Sequence, residues 1–142
     1  LLFGCTNISN MSGMKPNNVI TPAFEIATWT RQENLTAPYV IYIEGDGYAF
    51  NRSGHPTDDP TPHGKFVRKM ALNDTAPNVA YVARPCQFIR DTKCDTKYWT
   101  NARFATEIID SMAYAIHDIA KSRPVTLIGF SGGAQVAGLI AV

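Results

Sequence analysis

The sequence lacks any long hydrophobic run. Nowhere in its 142 residues do about 18 apolar residues follow one another, so no membrane-spanning helix is encoded. It also lacks an excess of charge. Thirteen Lys+Arg stand against twelve Asp+Glu, a formal +1, and no basic run breaks the balance. That removes the footprint of a dedicated nucleic-acid binder. Internal repeats, low-complexity tracts and an interior domain boundary are absent too. Neither Gly-Lys-Ser/Thr nor G-x-G-x-x-G occurs, which excludes the two common glycine-rich phosphate loops. What remains is 45% apolar and 18% charged, which excludes disorder and leaves a globular chain.

Cysteine is scarce, and its count of three is odd. Cys86 and Cys94 flank a loop-like segment too polar to bury two thiols as core residues, so a disulfide is the better expectation than two free cysteines. Cys5 sits in Leu2-Phe3-Gly4-Cys5, which resembles a bacterial lipobox, with Phe3 where a small residue is usual. On that likeness Leu1 to Gly4 end a signal peptide, Cys5 is a lipid anchor and the following polar residues are a tether. The alternative is a cut-off secretory leader with a spare cysteine. Both put the protein outside the cytosol. Five Asn-x-Ser/Thr sequons (Asn7, Asn10, Asn34, Asn51, Asn73) are what an Asn- and Thr-rich chain produces by chance.

Residues 1–22 are therefore set apart as signal remnant and tether, and residues 23–142 as the folded unit. Phe24 to Trp29 alternates with period two, as a half-buried strand does. Residues 39–43, 79–83 and 125–130 are continuous apolar runs, which suits buried parallel strands. Thr61-Pro62 reads as an N-cap with proline at the first helical position, before an apolar face of Phe66, Val67, Met70 and Ala71. A long helix is expected over about 100–121, with Ile108, Met112, Ile116 and Ile119 at helical spacing, and a second from near Gly132. The alternation implies an α/β fold: a mostly parallel sheet with helices on both faces.

Gly129-Phe130-Ser131-Gly132-Gly133 matches the G-x-S-x-G nucleophile elbow, with an apolar strand leading in and a small-residue helix leading out. Such a turn holds a serine clear of the sheet edge, and the helix amino terminus favours a developing oxyanion. Glu44-Gly45-Asp46-Gly47 follows an early strand, where the amide of Asp46 or Gly47 would pair with that of Gly132 to form an oxyanion hole. The plainer reading of this loop is a tight turn that needs positive φ.

With these residues in place the chain resembles the α/β-hydrolase superfamily, and more narrowly a bacterial secreted or lipoprotein-like subgroup. The narrower likeness is carried by Tyr42 to Gly47, Ala83-Arg84-Pro85-Cys86-Gln87, Tyr98-Trp99-Thr100 with Arg103-Phe104, and the elbow. The resemblance implies a serine nucleophile, Ser131, then an acid and a histidine in that chain order. Only eleven residues follow Ser131, and the sequence ends on an apolar run with no helix stop signal. The expectation is thus a chain truncated on its C-terminal side and inactive for want of its base. A further expectation is that it cannot pack as an independent domain, its elbow strand being left as a bare edge. His55, His63 and His117 read as solvated, and Asp58-Asp59 between two histidines as a loop rather than a metal site. No cofactor is expected. The implied reaction is cleavage of a carboxylic ester, less readily an amide, of a small-molecule or lipid-like acyl substrate through an acyl-enzyme. Nucleic acid is not an expected partner, and a membrane is one only through Cys5. The alternatives are a non-catalytic binding protein on the same fold, or an acyl transferase using the same serine.

Overall fold

The computed structural model describes residues 11–142; Cys5 and the lipobox-like segment lie outside them. Five strands form one sheet: β1 (Lys15–Ile20), β2 (Glu25–Gln32), β3 (Tyr39–Ile43), β4 (Asn78–Val82) and β5 (Val125–Gly129), in the order β1-β2-β4-β3-β5. Three α-helices, α1 (Phe66–Asn73), α2 (Thr106–Ala120) and α3 (Gly132–Ala141), accompany it. The apolar strands β4, β3 and β5 are parallel neighbours, whereas β1/β2 and β2/β4 are antiparallel. The sheet is therefore mixed, not mostly parallel.

Two local features account for the difference. The β1–β2 connection is only Thr21–Phe24, closed by Thr21 N–H on Phe24 O (2.9 Å) and Phe24 N–H on Thr21 Oγ1 (3.0 Å). So short a link permits only an antiparallel pair. Strand β1 carries no apolar alternation because it is an edge: of its six residues only Val19 is buried, and Lys15 and Pro16 are residues that edges tolerate. The segment set apart as a tether thus includes a strand of the sheet, and the folded unit begins before residue 23.

Helices cover both faces, as expected. The link from β3 through α1 to β4 runs one way across the sheet, and that from β4 through α2 to β5 runs back over β3. Crossovers of one hand running in opposite directions place their helices on opposite faces. Alternate side chains of the central strands feed the two layers. Ile41, Ile43 and Val82 pack with Ile108, Met112 and Val136 of α2 and α3, while Tyr42 and Tyr81 pack with Trp29, Val67 and Ala71 on the α1 side.

Of the three predicted helix starts, that of α3 at Gly132 is where it was expected and the other two are displaced. α1 begins at Phe66, with Lys65 as its N-cap, not at Thr61-Pro62. Thr61 is committed elsewhere: its hydroxyl accepts from Phe88 N–H at 2.8 Å, and its own amide donates to Asp59 Oδ1 at 2.9 Å. Val67 and Ala71 are buried as expected, but Phe66 is exposed. α2 starts at Thr106, after a 3₁₀ turn at Thr96–Trp99. The Arg103 carbonyl is taken by Arg84 Nη2 at 2.6 Å instead of a helical amide. Among the described residues strand β5 stands at the sheet edge with β3 as its one neighbour; Thr126 is exposed and its other residues are partly buried.

Cys86 and Cys94 form a disulfide with Cα atoms 5.7 Å apart. Its small loop contributes roughly 2–3 kcal/mol on the chain-entropy estimate. Replacing both cysteines with alanine should lower the urea unfolding midpoint accordingly. An unchanged midpoint would show that the 86–94 loop is held by its other contacts.

The buried tyrosines give a second expectation. Tyr42 donates to Asp74 Oδ2 at 2.7 Å, and burial together with that carboxylate pushes its pKa up to about 12. Burial first, then the Glu44 carboxylate, raises Tyr81 well above the ordinary value of 10.0. The folded protein holds these protons more tightly than the unfolded chain does. Their contribution is full below the unfolded value of about 10 and is lost as pH rises toward about 12. Urea midpoints should fall across that window in the wild type, and less steeply in Tyr42→Phe. Identical slopes would contradict the assignment.

Candidate active site

Parallel pairing sets β3 and β5 side by side, with Ile43 opposite Gly129, so the loops that follow them leave the same edge together. Phe130 N–H donates to Ile43 O at 3.2 Å and ties the two exits.

Ser131 caps α3 at φ 52°, ψ −123°, a combination L residues rarely adopt. The turn closes with Gly133 N–H on Phe130 O (2.8 Å) and Ala134 N–H on Ser131 O (2.9 Å). Ser131 is exposed, the second residue beyond the strand and the last before the helix. Its glycines are required by close approach. A Cβ on Gly129 would lie 2.2 Å from Gly133 O, and one on Gly133 would lie 2.5 Å from the carbonyl oxygens of Ile43 and Glu44. A Cβ on Gly132 would lie 2.1 Å from Asp46 Oδ1. Gly132 is the first residue of α3, so its amide has no intrahelical acceptor and stands at the positive end of the helix dipole.

The Glu44–Gly47 loop is clamped from beneath. Glu44 is buried; its Oε1 accepts from Gly45 N–H at 2.9 Å and its Oε2 from Tyr81 Oη at 2.6 Å. Gln87 Nε2 donates to Gly45 O at 3.0 Å, while Gln87 Oε1 accepts from Arg84 N–H at 3.0 Å. Gly47 has φ 68° and sits against Pro60 O, where a Cβ would be 2.0 Å away. Positive φ is thus needed here, but the loop is also fixed by a buried carboxylate and a glutamine.

Asp46 points its carboxylate at the elbow. It pairs with Arg84 Nη1 at 3.3 Å and Arg103 Nε at 3.3 Å, each a charge-assisted contact. Burial pulls the Arg84 pKa down, and Asp46 opposes that shift. Two guanidinium groups on one carboxylate offset its negative charge beside Gly132. The sequence reading missed this clamp. It singled out Arg84, Gln87 and Arg103 without giving them a role, and took Asp46 only for its amide.

A cavity of about 350 Å³ opens in front of this edge, lined by Ser131, the Gly45–Gly47 turn, Tyr48, His63 and Phe66 among others. Ser131, Asp46 and Gly47 thus meet at one cleft, and Gly132 adjoins it through Asp46. His63 is exposed, but it lines the same cleft, stacked on Tyr48 with centroids 4.0 Å apart. His55 lies in an exposed loop and His117 on the exposed side of the last turn of α2. Asp58 and Asp59 are exposed, and among the described residues no group of three His, Cys, Asp or Glu side chains could hold a metal.

What the structure defines is an α/β fold with a strand–serine–helix turn facing a cleft. No protein-family model matches the sequence, and no curated protein matches it. Among solved structures it is similar to XC6422 from Xanthomonas campestris, described as an α/β serine hydrolase without lid, with a TM-score of 0.47 and 15% identity. The match covers 92% of this chain and 58% of that one, so the chain spans less than two thirds of that protein's length.

Proposed function

We propose that this chain carries the nucleophile and the oxyanion hole of a serine hydrolase that cleaves a carboxylic ester, and an amide less readily. The observation that carries the reading is Ser131 itself. It is a non-glycine residue held at positive φ between a strand and a helix, beside a braced glycine loop. Strain of this kind costs of order 1–3 kcal/mol and persists where the surrounding structure imposes it, most often at functional turns.

In this reading Ser131 Oγ attacks the ester carbonyl carbon as its proton passes to a base. The resulting oxyanion is held by the amides of Gly132 and of Asp46 or Gly47. Collapse expels the alcohol, which takes up a proton, and water then hydrolyses the acyl-serine to release the acid. In the resembled superfamily the acid and histidine follow the serine in sequence, so the base is sought in the full-length protein. The Cys86–Cys94 disulfide supports an extracytoplasmic setting.

Product analysis of the full-length protein tests this. Incubation with a 4-nitrophenyl ester, with and without a primary alcohol, should yield free acid in both cases. A new ester formed with the alcohol would identify an acyl transferase, and no turnover a binding protein.

A further inference from the structure

The cleft in front of Ser131 is walled by rings. Phe66 and Phe130 meet with centroids 5.2 Å apart and planes inclined by 54°, and Tyr48 and His63 stack at 4.0 Å. All four line the same cavity as Ser131. The two phenylalanines are held largely in water, Phe66 at 60% and Phe130 at 47% exposure. Single exposed apolar residues are ordinary, but two large rings paired at the mouth of a cleft form a patch that favours a ligand. Phe66 is instructive because α1 buries Val67 and Ala71 and leaves this ring out of the core.

The acidic groups of the cleft are already engaged. Glu44 is bonded to Gly45 N–H and Tyr81 Oη, and Asp46 lies between Arg84 and Arg103. Among the described residues, none that lines the cleft is a lysine or arginine. The cleft therefore offers flat apolar faces and, beside the His63 ring, no basic side chain to hold a charged substrate group.

We propose that the acyl group taken by this site is a flat, uncharged ring: the substrate is an ester of an aromatic carboxylic acid. The ring packs against the Phe66–Phe130 pair while its carbonyl reaches Ser131. A volume of about 350 Å³ suits a single-ring group with its ester. Ring-on-ring contacts at 4.5–7 Å add to area burial and together correspond to a preference of about tenfold over a small alkyl group. The inference rests on Ser131 being the nucleophile.

Two fluorophosphonates that differ only in the group on phosphorus, phenyl or ethyl, provide the test. In each, Ser131 Oγ forms the O–P bond, fluoride departs with its electron pair and the serine proton goes to solvent. Labelling rate constants on the full-length protein are divided by each probe's rate with hydroxide, and their ratio is taken. Because both probes meet the same preparation, loss of folded protein cancels. The expected ratio is about ten in favour of phenyl, falling toward one in Phe66→Ala and in Phe130→Ala. A ratio near one in the wild type, or one that survives both substitutions, overturns the substrate class and leaves the nucleophile standing. Labelling by neither probe removes the nucleophile, and the inference with it.

Discussion

Replacing Ser131 with alanine or glycine should reduce ester turnover by about a thousandfold or more, because the oxyanion donors alone retain only a remnant of the rate. The two variants should part company in stability. Alanine inherits the backbone at φ 52°, ψ −123°, whereas glycine adopts it without a Cβ penalty. Glycine at position 131 should therefore be the more stable by about 1 kcal/mol, the reverse of the usual order for helices. Both variants lack the hydroxyl, so the comparison isolates the backbone. Urea midpoints and initial rates measured together decide the matter. An alanine variant more stable than the glycine one would mean the turn holds no strain.

Gly133→Ala should cost about 3 kcal/mol, at the upper end for overpacking. Its Cβ would meet the carbonyl oxygens of Ile43 and Glu44 at 2.5 Å, and both are backbone atoms with no rotamer to yield. The added methyl must push α3 away from the exit of β3, which also displaces the Glu44–Gly47 loop. Gly129→Ala meets Gly133 O at 2.2 Å and Ala134 N at 2.4 Å and should behave alike. Gly138→Ala, in the same helix with nothing within 4 Å, is the control. It should gain roughly 0.5–1 kcal/mol from helix propensity. Similar midpoints for the Gly133 and Gly138 variants would show that the elbow can relax.

The contrast between those glycines marks what a sequence reveals and what it hides. Runs such as Tyr39 to Ile43 and Val79 to Val82 are legible because central strands are apolar on both faces. The elbow is legible for a related reason: the crossing of helix and strand backbones admits only glycine at 129 and 133. Strand β1 is hidden because five of its six residues face solvent, so Lys15-Pro16-Asn17-Asn18 shows no period. The start of α1 is hidden because Thr61, a good cap by type, is claimed by Phe88 and Asp59. The Asp46 clamp is the least legible of all. Arg84 and Arg103 are distant in sequence and reach one carboxylate only after β4 and the 100–104 turn are in place.

The central claim is that Ser131 is a nucleophile, and adduct mapping bears on it most directly. The full-length protein would be treated with a fluorophosphonate, digested, and the modified residue located by tandem mass spectrometry. The expected result is a single adduct on Ser131 that disappears in Ser131→Ala. An adduct on a different residue, or equal labelling of the alanine variant, would contradict it.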